Sequence, residues 1–245
     1  MDSSRLRIEV PPPVIEEWSR RVIVEFHSAQ ITAQMHLLLK GVPCSQRLLN
    51  LCERVISDEL RHSKDCLENL QHWGVEVPIV VEQIQLAQEL PRLQSPLKTL
   101  LCNFVIGETA AVRLFGHMLI NASEPHAIRV LRAIVRDEKV HSAFAWQVLD
   151  ELLEKEEVDV SSFVPNGEFE HPFRNVRECI QMNLSTWVLQ MYRRIEMGHH
   201  QSALSDLAIS YGLIDGQVYQ EIWTQCFIDE IGPKLRERGL EPPML

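Results

Sequence analysis

Four short stretches carry side chains whose types and spacing could do chemistry: VIVEFHSAQ at 22–30, SDELRHSKD at 57–65, FVIGETAAV at 104–112 and RDEKVHSAF at 136–144. They read as Glu25, then Glu59-x-x-His62, then Glu108, then Glu138-x-x-His141: a lone carboxylate followed by a Glu/His pair, written twice. On a helix, positions i and i+3 lie on one face, so each Glu/His pair can meet one ion. An ionised carboxylate on a buried apolar face costs several kcal/mol unless it is paired or bound to metal. Glu25 interrupts VIVEF, Glu108 interrupts LLCNFVIGETAAV, and no Lys or Arg shares the inward stripes. Two divalent cations would balance four carboxylates, with two neutral imidazoles completing the set; a single zinc would leave the site at −2. Carboxylates with imidazoles suit iron or manganese better than the Cys/His sets typical of zinc or copper.

The other two Glu-x-x-His pairs read as incidental. Glu168/His171 sits in a turn-rich stretch ahead of Pro172, and Glu196/His199 flanks Gly198 at a helix end. His36 lies eleven residues beyond Glu25, about 16 Å away by helical rise, and reads as a hydrogen-bonded core or rim histidine. Cys66 reads as a core cysteine. Ala29 and Ala111 are small and sit one turn beyond Glu25 and Glu108, which leaves room for a small molecule or lets helices approach closely.

Helices must position these residues. Glu59 follows Glu25 by 34 positions and Glu138 follows Glu108 by 30, the period of a helical hairpin. The 10 glycines and 13 prolines leave long stretches unbroken, and 45% of residues are apolar, ample for an all-α core. The periodicity predicts helix 1 over 14–40, ending at Gly41, with Ile15, Trp18, Val22, Glu25, Ala29, Thr32 and His36 inward. It predicts helix 2 from the Ser45 cap to about Trp73, with Leu48, Cys52, Val55, Glu59, His62, Cys66 and Leu70 inward. Residues 75–95 are too long for a hairpin and suit a crossover, with a short helix near 80–90. Ser95-Pro96 starts helix 3 over 96–121, with Leu97, Leu101, Phe104, Glu108, Ala111 and Phe115 inward. Helix 4 covers 124–155 from a Ser123/Pro125 start, with Leu131, Val135, Glu138, His141, Ala145 and Leu149 inward. After an acidic, turn-rich loop come helices over about 174–198, 201–211 and 216–239, the last broken at Gly232-Pro233. The expected organisation is an N-terminal arm (1–13), a four-helix metal-binding bundle (14–155) and a C-terminal helical extension packed on it (156–245).

The net charge of −10 argues against a nucleic-acid partner such as DNA. Residues 1–13 show no apolar run of a secretory leader, and no stretch approaches the roughly 20 apolar residues of a membrane helix. Six scattered cysteines with no C-x-x-C read as reduced thiols, so the expectation is a cytoplasmic protein without a membrane partner.

Over residues 14–155 the pattern resembles the ferritin-like superfamily of di-iron carboxylate proteins, whose bundle carries one Glu from each of two helices and Glu-x-x-His from the other two. The resemblance implies a ferritin-like four-helix bundle with a long crossover between helices 2 and 3, holding two iron ions, or manganese in their place. It implies Glu25 and His62 as terminal ligands of one ion, Glu108 and His141 as those of the other, and Glu59 and Glu138 as bridges. Asp58 and Asp137 precede the bridging glutamates as in the Asp-Glu-x-Arg-His motif of di-iron oxygenases, where Asp and Arg support the ligand histidines from behind. Arg61 matches that motif and Val140 does not, so half of the support is expected. Ala111 stands where rubrerythrins carry an extra Glu, and Cys66 where the ribonucleotide reductase small subunit carries its radical tyrosine. The function implied is an O2-activating oxidoreductase, of monooxygenase or oxidase type, acting on a small organic substrate with electrons from a separate protein; a homodimer is an allowed assembly. The alternative is a bacterioferritin-like ferroxidase that handles iron, weakened by the length after helix 4 and by the lack of Met between 45 and 73. A metal-free bundle that binds a partner is the third reading.

Overall fold

The computed structural model describes residues 10–76, 95–155, 175–198 and 204–245. Among them every regular element is helical and no strand occurs. The arm before Val10, most of the crossover, the acidic loop, and Glu168, His171 and His199 lie outside the described residues.

Helix α1 (Pro12–Lys40) starts two residues before the expected position, because Pro12 and Pro13 occupy its first turn, where a missing N–H costs nothing. Helix α2 (Gln46–His72) is capped by Ser45, whose hydroxyl accepts from the Leu48 N–H. Helix α3 is one rod, Pro96–Asn121. Helix α4 (Pro125–Glu154) is capped by Glu124 rather than Ser123: the Glu124 carboxylate accepts from the Ala127 N–H at 2.6 Å, while the Ser123 N–H is drawn to the Ser210 carbonyl. Beyond them lie α5 (Val176–Gly198), α6 (Asp206–Ser210) and α7 (216–237).

α1 packs along α2, α3 along α4, and α2 against α4. One apolar cluster joins Met35, Leu39 and Val55 to Leu101, Phe104, Val148 and Leu149, and continues into Trp187 of α5 and Trp223 of α7. A second fills the opposite end around Trp18, Val22, Leu70, Leu131 and Tyr211. The loop after α6 ties that end down: Trp18 Nε1 donates to the Tyr211 carbonyl at 3.0 Å and Arg21 Nη2 to the Gly212 carbonyl at 2.7 Å. Gly212 has φ +78, and an added Cβ would meet Leu131. All six cysteines are free thiols.

Three further expectations change. First, α3 is π-helical from Leu100 to Glu108, widening the rod just before its key carboxylate. The wider turn rotates the C-terminal half of the rod, so Thr109, Ala110, Leu114 and Met118 are buried instead of Ala111 and Phe115. Second, α7 is not broken at Gly232-Pro233. A π-helical turn, Phe227–Ile231, immediately precedes Gly232–Glu237 and carries the rod through the proline. Third, α3 is long and apolar enough to cross a membrane by length and composition, against the expectation that no stretch approaches such a span. More than half of its most apolar window is buried against the other helices, as a core rod requires.

Candidate metal centre

The inward faces of α1–α4 converge on the six expected residues. Glu25, Glu59, His62, Glu108, Glu138 and His141 are all buried, and both histidine side chains are 0% exposed. Glu25, Glu59, His62 and Glu138 can each offer one atom so that the four lie within 4.8 Å of one another. Glu59, Glu108, Glu138 and His141 do the same. Two such sets share Glu59 and Glu138, so the two carboxylates expected to bridge occupy the overlap. No Cys joins either set.

The histidine orientation is informative. His62 Nδ1 points at Glu25 and Glu59, 3.5 and 3.6 Å away, and its Nε2 lies 3.3 Å from Asp137 Oδ2. His141 Nδ1 lies 3.3 Å from Glu59, 3.8 Å from Glu138 and 3.9 Å from Glu108, with its Nε2 3.5 Å from Asp58 Oδ2. The rings sit 5.8 Å apart. Each aspartate thus stands behind the histidine of the other helix: Asp137 of α4 hydrogen-bonds His62 of α2, and Asp58 of α2 faces His141 of α4 at a longer distance without a hydrogen bond. A proton held on Nε2 toward the aspartate leaves the Nδ1 lone pair facing the carboxylates, as a metal-ligating imidazole needs.

The expectation that half of this support is missing does not hold in space. Arg61 reaches both aspartates, donating to Asp58 Oδ1 at 2.7 Å and Asp137 Oδ2 at 2.6 Å. Arg136 donates through Nε and Nη2 to both oxygens of Asp137 at 2.9 Å, and Arg54 lies 3.4 Å from Asp58. The arginine missing at Val140 is therefore supplied by a neighbour one turn back.

No family model matches the chain, and no curated protein matches it.

Electrostatics show what the cluster lacks. Burial, reinforced by the charge of Glu59, pushes the Glu25 carboxyl up to about 8. Burial and the neighbouring Glu108 raise Glu138 well above the usual carboxylate range, and burial raises Glu108. Burial also opposes the charged forms of Glu59 and His62, but here it is outweighed. The close approach of His141 and His62 holds Glu59 low, and the approach of Glu25 and Glu59 lifts His62 up to about 10. The metal-free cluster therefore balances its charge with protons, which a dication would displace. Glu59 Oε2, Glu138 Oε2, His62 Nδ1 and His141 Nδ1 are buried without a hydrogen-bond partner among the described residues. Buried lone pairs left unused are costly, and each of the four belongs to a member of the two donor sets, so the arrangement fits a cation.

Arg21, one turn before Glu25, is 3% exposed, an inward cation that the periodicity did not reveal. It does not neutralise the site: it pairs with Glu17 at 3.1 Å and stacks on Trp18. Three hydroxyl groups near the centre also escaped sequence reasoning. Ser28 donates to Glu59 Oε1 at 3.2 Å. Thr109 and Ser142, which come directly after Glu108 and His141, share a hydrogen bond at 2.9 Å, and Trp146 Nε1 donates to the Thr109 hydroxyl at 3.0 Å. The available signal was weak: each hydroxyl sits one or three residues from a candidate ligand. His36 lies at the rim, 3.5 Å from Glu53, apart from the centre, and Cys66 is fully buried core.

Proposed function

We propose that the chain is a di-iron, O2-activating oxidoreductase with a ferritin-like bundle. The observation that carries the reading is the overlap of the two donor sets at Glu59 and Glu138. One ion in each set gives four carboxylates, two dications and two neutral imidazoles, a neutral site among buried side chains. Oxygen-rich donors with one imidazole per ion favour iron, with manganese as the substitute. Glu25 and His62 would hold one ion, Glu108 and His141 the other. When bound, two ferrous ions would supply the electrons that reduce O2.

The chain's own residues do the rest. Asp137 holds the Nε2 proton of His62, and Arg136 and Arg61 keep Asp137 ionised; Arg61 also donates to Asp58, which stands 3.5 Å behind His141 Nε2. Ser28 orients one oxygen of Glu59. Glu108 has the most exposed side chain of the six, at 11%, which places the least covered approach to the centre beside α3. A small organic substrate and a separate electron donor complete the reading.

The experiment is anaerobic ferrous titration followed by exposure to O2, with and without substrate candidates. Two ions per chain and O2 consumption tied to organic product support the oxidoreductase. Two ions with growth of a ferric core in a large shell would instead select the iron-handling alternative, and no bound metal would refute both.

A further inference from the structure

A second feature lies on the flank of α3. A cleft of about 620 Å³ runs between α1, α3, α5 and the start of α7, and none of the six candidate ligands lines it. Its lining extends from Lys98 to Met118, twenty positions along one rod, so the cleft is elongated on the order of 30 Å. The volume falls within the ~300–1,000 Å³ of small-molecule sites. Trp187, Met191, Ile195 and Tyr219 give it an apolar wall.

The charges are placed unevenly. Toward the α1 end, Arg20 donates to both oxygens of Glu17 at 2.8 Å and is neutralised. Toward the other end, Lys98 Nζ donates at 2.9 Å to the neutral amide of Gln190, and Arg194 has no ion pair among the described residues. Among the described residues these two cations, beside the apolar trough, have no carboxylate partner, and the carboxylates that line the cleft, Glu16 and Glu17, both lie on α1, in a chain of net charge −10. An elongated anion with one apolar body satisfies both features, since hydrogen bonds to charged partners are the stronger ones and the trough gains by losing water.

We propose that this cleft binds an anionic amphiphile, its carboxylate between Lys98 and Arg194 and its hydrocarbon body along Trp187, Met191 and Ile195. The proposal concerns binding and holds whether or not the bundle carries metal.

The test is calorimetric titration of the full chain with decanoate below its aggregation concentration, beside decanol and decyltrimethylammonium at the same ionic strength. The expected result is one decanoate per chain, bound at least tenfold more tightly than the alcohol or the cation. Lys98→Gln and Arg194→Gln should each weaken decanoate at least fivefold and leave decanol unchanged. Both positions are solvent-accessible, so circular dichroism should show the helices intact. No decanoate binding, equal binding of the three probes, or indifference to both substitutions would each overturn the proposal.

Discussion

His62 Nε2 lies 3.3 Å from Asp137 Oδ2, across the interface between α2 and α4. The acceptor that fixes this ring belongs to the other Glu-x-x-His helix, and Asp58 of α2 is likewise placed across from His141 of α4, 3.5 Å from its Nε2. The two halves of the candidate site therefore brace each other, and loosening one aspartate should disturb the partner helix's histidine.

Asp137→Asn should weaken metal binding by about 10–100-fold without removing a ligand. Competition with a coloured chelator measures it. An unchanged affinity would mean that the aspartate serves only its ion pairs with Arg61 and Arg136.

Stoichiometry should separate the shared carboxylates from the unshared ones. Glu25→Ala and Glu108→Ala should each retain about one tight ion per chain, whereas Glu59→Ala should lose tight binding of both. Metal analysis after desalting reads the outcome, and a loss of only one ion from Glu59→Ala would contradict the overlap of the donor sets.

The metal-free protein should lose stability as pH rises. The folded Glu25 carboxyl is lifted to about 8, so its folding penalty is absent below its ordinary value and complete above about 8. His62 is lifted to about 10; the stability it contributes is present below its ordinary value and is lost as pH rises through about 10. Both groups make the folded state bind more protons than the unfolded one. Thermal melts should show Tm falling from pH 6 to pH 9 without metal. Metal binding displaces those protons, so affinity should increase over the same interval. Depressed Glu59 acts at the acid end, where its contribution is lost as pH falls.

Trp146→Phe should cost about 1–2 kcal/mol, because it removes the indole donor to the buried Thr109 hydroxyl. It also replaces the ring that Arg238 covers at 4.6 Å. Urea unfolding measures the loss, and the number of ions bound should not change.

Gly212→Ala should destabilise by about 1–3 kcal/mol through its left-handed backbone alone, with the approach to Leu131 adding to it. A Tm within a degree of the parent would show that the loop relocates freely, despite its hold on Trp18 and Arg21.

Much of the centre was legible without coordinates. A carboxylate on an apolar helical stripe is a local anomaly, and four of them at hairpin spacing singled out Glu25, Glu59, His62, Glu108, Glu138 and His141 as candidates, which the fold gathers into two overlapping groups that could hold metal. The burial of α2 followed its 3.6-residue period throughout. The inward face of α3 beyond Glu108 did not, because periodicity assumes a uniform turn and the π-helical stretch changes the angle per residue.

What the sequence determined by itself was the all-helical class and the donor chemistry, since both rest on side-chain type and on spacing within one helix. Tertiary structure alone decided which aspartate backs which histidine, that Arg61 spans both, that Arg136 stands in for the arginine absent at Val140, and that a charged cleft flanks α3. Those relations join residues tens of positions apart, and they are set by how helices pack, which no periodicity within a single helix encodes.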